Sequence, residues 1–202
     1  MSKVLRNKPD VGEATRQRIL QRVKELNYRP NLMARGLASG RSHTVGLIVP
    51  DLVHTFFAEL AKGLKAGLRT RGYQLILASA EEEPELEREE IDMLLARGVD
   101  ALVVASCQTN VAGLQHLADS GVPYVLLDRR LPGFAAHFVG SDDVAAGSLA
   151  TEHLLSLGRT RIAHIGAEGV STGTDRLQGY RNALAHAKIA FSPSLLLSLI
   201  HI

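Results

Sequence analysis

Ten of the first 43 residues are lysine or arginine and three are acidic, whereas the remaining 159 carry thirteen basic and eighteen acidic side chains. The net charge of +2 therefore joins a head of +7 to a body of −5. Lys3, Arg6, Lys8, Arg16, Arg18, Arg22, Lys24, Arg29, Arg35 and Arg41 are spread through the head instead of forming one tract. That chemistry is phosphate neutralisation on a folded surface, the charge signature of a nucleic-acid-binding arm on an ordinary globular body. The other reactive residue types give weaker patterns. Glu81, Glu82, Glu83, Glu85, Glu87, Glu89 and Glu90 read as a solvated helix start favoured by the helix dipole. Metal binding is the minor reading, since no His or Asp joins them at ligand spacing, and His153 and His164 fall on different expected elements. His54 and His137 sit beside expected loops and carry only a weak signal. The single cysteine, Cys107, follows the apolar run Ala101–Ala105 and reads as a buried small hydrophobe. It makes no intramolecular disulfide, which favours a reducing cytoplasm. Neither a G-x-G-x-x-G loop nor a G-x-S-x-G elbow occurs, so no enzyme activity and no cofactor are expected.

The elements that must position these residues follow from periodicity. In the head, residues 2–6 predict a short helix, ended by the turn-rich cluster Asn7-Lys8-Pro9-Asp10. Thr15–Leu26 predicts a second, with Ile19, Val23 and Leu26 on one face and Asn27 and Pro30 as its stop. Asn31 is placed to cap a third helix over 32–38, closed by Ser39–Gly40. From Thr44 onward apolar runs alternate with amphipathic segments. Strands are expected at 44–49, 73–79, 101–106, 124–128, 138–140 and 161–166, with helices at 56–71, 84–97, 111–120, 142–157 and 174–187. Gly72, Gly98, Gly121 and Gly158 each stand just past a helix end. This βαβα alternation predicts an α/β fold, a doubly wound parallel sheet with helices on both faces. The opening MSKVLRNKPD has no apolar signal core, and no run approaches the roughly 18 apolar residues of a membrane span. A soluble protein that is not exported and has no membrane partner is therefore expected.

The run from Ser2 to about Leu52 resembles the LacI/GalR family of bacterial transcription repressors, and the α/β region to about Ala187 continues the likeness. Ser2-Lys3-Val4-Leu5-Arg6-Asn7 is similar to the end of the family's recognition helix. Thr15 through Asn27-Tyr28-Arg29-Pro30-Asn31 is similar to its third helix and exit, and Ala34-Arg35-Gly36-Leu37-Ala38-Ser39-Gly40-Arg41-Ser42 to its hinge helix. The resemblance implies a partial helix-turn-helix head over 1–30, a hinge helix and linker over 31–42, and an incomplete periplasmic-binding-protein-like domain over 43–202. That domain is divided into a first subdomain, 43–143, and the start of a second, 144–202.

By the resemblance, Ser2, Lys3 and Arg6 approach DNA, with Lys3 the best base-edge candidate and solvated surface charge the plain alternative for Lys3 and Arg6. Asn7, Thr15, Asn27, Tyr28 and Asn31 are phosphate-contact candidates or turn and cap residues, and Arg35 adds charge at the hinge. Leu37 either wedges into the operator's minor groove or packs on the next domain. The hinge, with Gly36 and Gly40, is too short to be stable alone, so its ordering is expected to accompany DNA binding.

The same resemblance implies a small-molecule effector, a sugar or related metabolite, in a cleft off the carboxyl ends of the strands. Phe56 and Phe57 offer an aromatic platform, with core packing the alternative for Phe57. Asp128 and Arg129 supply charged groups able to fork onto hydroxyls or a carboxylate, or in the case of Asp128 to cap the next turn. Ser171, Thr172 and Arg176 complete the set. Arg176 either grips ligand oxygens or pairs structurally with Asp175 or Asp142, and one of Asp142 and Asp143 is expected to cap a helix. The partners implied are operator DNA, the effector and a second copy, as a homodimer or dimer of dimers.

Two departures accompany the match. The chain opens in the middle of the expected recognition helix, and Leu196–Ile202 does not resemble the family. The chain is expected to be a fragment whose second subdomain leaves sheet edges and apolar faces exposed. Two rivals remain at this level. A sugar-binding protein of the same fold has no use for the basic head, and an α/β enzyme lacks its phosphate or nucleophile loop.

Overall fold

The computed structural model describes residue 4 and residues 11–28, 40–167 and 169–198. Ser2, Lys3, Arg6, Asn7, Asn31, Arg35 and Leu37, and with them the expected hinge helix, lie outside the described residues. The chain divides into two units, residues 1–42 and 43–202.

In the first unit helix α1 spans Glu13–Glu25, starting two residues before the expected Thr15. Ile19 and Val23 are half-buried as their spacing predicts, whereas Leu26 is 75% exposed. Val4 is buried. Asn27 adopts φ +46°, and its N–H donates to the Lys24 carbonyl while that of Tyr28 reaches back to Val23. Those two bonds form a Schellman close, with asparagine in the left-handed position usually held by glycine. Asn27 therefore performs the capping duty that was one of its two readings, and Tyr28 and Thr15 stay exposed.

The second unit opens with strand β1 (Thr44–Val49), helix α2 (Thr55–Thr70), β2 (Gln74–Ser79), α3 (Pro84–Ala96), β3 (Ala101–Val104), α4 (Ala112–Asp119), β4 (Tyr124–Leu127) and β5 (His137–Val139). All neighbouring strands pair in parallel, in the order β2-β1-β3-β4-β5. The order reverses between β1 and β3, which makes the carboxyl ends of those two strands the topological switch point. Strand β1 is interior and buried on both faces: Ile48 packs among Ile91, Leu94, Leu102, Leu114 and Leu117, and Leu47 and Val49 pack with Phe57 and Ala61 of α2. Two apolar layers thus clamp the sheet, the arrangement that near-continuous apolar strands require. Gly72, Gly98, Gly121 and Gly158 adopt φ of +75°, +69°, +72° and +75°, which only glycine takes without strain.

The remainder comprises α5 (Asp143–Ser156), β6 (His164–Gly166), α6 (Ser171–His186), a 3₁₀ turn (Pro193–Leu195) and β7 (Leu196–Ser198). β6 and β7 form a separate parallel pair. β6 is half the length expected from 161–166, because a strand persists only where a ladder partner meets it and β7 offers three residues. Ile165 is 55% and Leu197 42% exposed on this small sheet. Helices α5 and α6 pack closely, and Tyr180 anchors the cluster beneath them, its hydroxyl donating to the Ile162 carbonyl.

Candidate functional site

The carboxyl ends of β3 and β4 face the amino-terminal turn of α6 across a cavity of about 270 Å³. Ser106, Gln108 and Thr109 line it from the turn after β3, Arg129 and Arg130 from the turn after β4, and Ser171, Thr174 and Asp175 from α6. A second cavity of about 270 Å³ adjoins it through Arg130, Ser171 and Asp175, with Phe134 and Phe138 as its apolar wall. A wider depression of about 590 Å³ lies at the opposite end of the sheet, beside Tyr124 and His137, where β4 and β5 begin. The polar cavity lies at the end of the sheet where doubly wound folds bind ligands.

Local sequence explains how the side chains arrive there. Asp128 follows β4 directly with φ +61°, its N–H donating to the Val139 carbonyl of the edge strand. This left-handed turn leads Arg129 and Arg130 out of the strand along the cleft. The Arg129 guanidinium meets the Glu82 carboxylate with both terminal nitrogens, each at 2.8 Å. That forked pair holds the Glu82 carboxyl below its ordinary range, against the opposing effect of burial. Burial works against the Arg129 charge, but its bonds to Glu82, with the charges of Glu82 and Asp128, outweigh it and the guanidinium is shifted up. Arg130 donates its main-chain N–H to Ser171 Oγ at 2.8 Å, lies 3.5 Å from Asp175, and sets its guanidinium 4.9 Å from the centre of the Phe138 ring.

Arg176 pairs with Asp143, Nε to Oδ1 at 2.7 Å, not with either aspartate expected from the sequence. Asp142 instead caps α5, accepting from the Ala145 N–H at 2.9 Å, so the two adjacent aspartates divide the roles of cap and ion partner. Asp143 is 3% exposed, whereas the Arg176 side chain is 54% exposed; Arg176 stands one residue beyond Asp175, the last residue of α6 that lines the cavity. Burial raises the Asp128 carboxyl above its ordinary value, against the lowering charge of the adjacent Arg129, with smaller opposed effects from Asp143 and Arg176.

The expected aromatic platform is narrowed. Phe57 is 4% exposed because its ring fills the core under β1, while Phe56 stays 53% exposed and meets it edge to face. Thr172 is also largely buried, at 9%, with Ser171 and Thr174 nearer the cavity.

Several residues that shape the cavity were not singled out by sequence reasoning. Glu87, read as part of a solvated acidic cluster, is fully buried and accepts from Ser106 Oγ and the Cys107 N–H, both at 2.6 Å. Its sequence signal is the spacing Glu87, Ile91, Leu94, a carboxylate in the apolar stripe of α3. Glu82 belongs to the Arg129 pair and is likewise not simply solvated. Cys107 is buried as expected, and burial followed by the neighbouring Glu87 carboxylate pushes its thiol up, away from reactivity.

Comparison with known proteins identifies the family. Residues 42–195 match the family described as periplasmic binding proteins and sugar binding domain of LacI family, and residues 1–31 match bacterial regulatory proteins, lacI family. The chain is 35% identical over 196 residues to the HTH-type transcriptional regulator GalR of Escherichia coli, covering 96% of this chain and 57% of that protein. A putative ribose operon repressor from Burkholderia thailandensis superimposes with a TM-score of 0.74 at 33% identity, over 78% of this chain and 61% of the other. A complex of the transcriptional regulator CelR with cellobiose gives 0.67 at 30% identity, over 98% of this chain and 60% of that one. The chain thus spans about 57–61% of the length of these relatives. With a regulatory-protein match at its head and a sugar-binding-domain match over a doubly wound sheet, the chain belongs to the LacI family of bacterial regulatory proteins.

Proposed function

We propose that the protein is a cytoplasmic, homodimeric repressor that binds operator DNA through its basic head and is released or engaged by a small sugar held in the cleft. The observation that carries the reading is the cavity between β3, β4 and α6, whose lining alternates hydroxyl, amide, guanidinium and carboxylate groups. A polyhydroxylated ligand needs paired donors and acceptors of this kind, because each of its hydroxyls both gives and takes a hydrogen bond. A relative with a solved cellobiose complex, similar in structure over nearly the whole chain, supports the same ligand class. In this reading Phe56 supplies an apolar shelf, Asp128 and Arg129 bind hydroxyls, Ser171 and Thr172 shape the α6 end, and Arg176 reaches ligand oxygens while Asp143 holds it in place.

The regulatory step follows from linkage. The cleft lies between two subdomains, and a sugar touching both favours one of their arrangements by its differential affinity alone. That arrangement sets the spacing of two heads on a pseudopalindromic operator, where Lys3, Arg6 and the hinge with Leu37 make their contacts.

Thermal unfolding in the presence of a panel of pentoses, hexoses and disaccharides tests the ligand class. A true effector at 100 times its Kd adds about 2.7 kcal/mol to stability, a shift of several degrees. A panel in which no sugar moves the melting temperature contradicts the reading.

A further inference from the structure

We infer that Glu87 is a positioning residue of the cleft, a buried acceptor that fixes the turn after β3 so that Ser106 and Gln108 stand over the cavity. The inference rests on the proposed sugar site for what the turn is for, but not for how it is held.

Glu87 lies on α3 and is fully buried. One carboxylate oxygen accepts from Ser106 Oγ and the other from the Cys107 N–H, each at 2.6 Å. Ser106 Oγ in turn accepts from the Gln108 N–H at 3.0 Å, and the Gln108 side-chain amide donates to the Pro84 carbonyl at 2.6 Å. The turn is therefore tied to α3 at two points, by the carboxylate at one and by the first helical residue at the other. Ser106 and Gln108, the two residues so tied, are cavity-lining residues.

A carboxylate placed in an apolar stripe is costly unless its oxygens are satisfied, and core packing alone would be better served by leucine at this position. What the carboxylate supplies and leucine does not is a pair of acceptors that orient a turn whose own main-chain groups have left the sheet. The cluster is also rigid in a directional sense: charge-assisted bonds of 2.6 Å tolerate little displacement of either partner. Ligand sites depend on such supporting contacts, because a lining residue displaced by an ångström no longer matches the ligand's hydroxyls.

Cys107 is the only cysteine of the chain, so a thiol reagent such as dithionitrobenzoate reports directly on this turn. In the wild-type 202-residue chain, labelling is expected to be slow and to rise with urea, following global unfolding. Glu87→Gln removes the charge from both bonds and keeps an acceptor for the Cys107 N–H only by turning its amide nitrogen onto Ser106 Oγ, whose hydroxyl must then accept instead of donate. Labelling is then expected to accelerate at least tenfold and to lose its urea dependence below the transition, the mark of local opening. Ile91→Val, one turn further along α3, loses a core methyl without touching the acceptor and should keep the wild-type urea slope. Fast, urea-independent labelling of the wild type overturns the inference. So does Glu87→Gln labelling that only tracks its lost stability. In a second arm D-ribose, D-galactose and cellobiose are titrated calorimetrically into both proteins. Binding that weakens tenfold or more in Glu87→Gln supports the positioning role, and equal affinity overturns it. Absence of wild-type binding to all three counts against the sugar reading, and the labelling arm then decides the inference alone.

Discussion

Gly179→Ala is expected to destabilise the second unit by about 3 kcal/mol and to separate α5 from α6. A Cβ at Gly179 would overlap the Val144 carbonyl oxygen and approach the Ser148 amide nitrogen, while one at Gly147 would overlap the Arg176 carbonyl. Both obstacles are helix backbone, which cannot rotate away as a side chain can. The two helices thus meet through a pair of glycines, with Ser148 Oγ donating across the contact to the Gly179 carbonyl at 3.1 Å. The same crossing sets Asp143 and Arg176 side by side, since each lies about one turn from its helix's glycine. Gly67→Ala on α2 is the matched control: a Cβ there meets nothing within 4 Å, so it should stabilise by about 0.5–1 kcal/mol through helix propensity. Urea unfolding of the two variants measures both. A Gly179→Ala midpoint equal to wild type would show that the helices do not depend on this contact.

Arg176→Met is expected to cost about 2 kcal/mol of stability and at least a hundredfold in sugar affinity. The stability loss arises because Asp143 is left buried without its partner, moderated by the water that reaches an arginine whose side chain is 54% exposed. The affinity loss arises because a guanidinium offers directed donors that methionine lacks. The two effects separate in the double variant Arg176→Met/Asp143→Asn. Removing the orphaned charge should restore most of the stability and none of the affinity. Calorimetric titration of the double variant is the deciding measurement, and wild-type sugar affinity would reduce Arg176 to a structural ion partner.

The order of elements was legible from the chain because its signals are local. β1 is an apolar run ended by Pro50, and four helices stop at glycines that occupy the left-handed region. What was not legible depended on partners distant in sequence. The length of β6 is set by β7, and the three residues Leu196–Ser198 carry no period by which a strand could be recognised. The main-chain signal for α6 begins at Thr174, yet the helix starts at Ser171, whose hydroxyl is held by the Arg130 N–H from another loop. The site shows the same division. Arg176, Asp128 and Arg129 could be named as candidates from residue type and position. Their partners Asp143 and Glu82 could not, because an ion pair across 33 or 47 residues leaves no local pattern. Glu87 was misassigned for a related reason: in a run of glutamates, only its register with Ile91 and Leu94 sets it apart from its solvated neighbours. Phe57 shows the converse, an aromatic whose apolar neighbours on α2 already marked it as core as readily as platform.

The proposed function requires sugar in the cleft and DNA at the head to be thermodynamically coupled. The most direct measurement is the affinity of the intact protein for the sugar of largest thermal shift, taken with and without a saturating duplex from upstream of its own gene. The account predicts that DNA changes sugar affinity by the same factor, on the order of 5- to 150-fold, by which sugar changes DNA affinity measured by fluorescence anisotropy. Sugar affinity that is identical in the presence and absence of the duplex would contradict it.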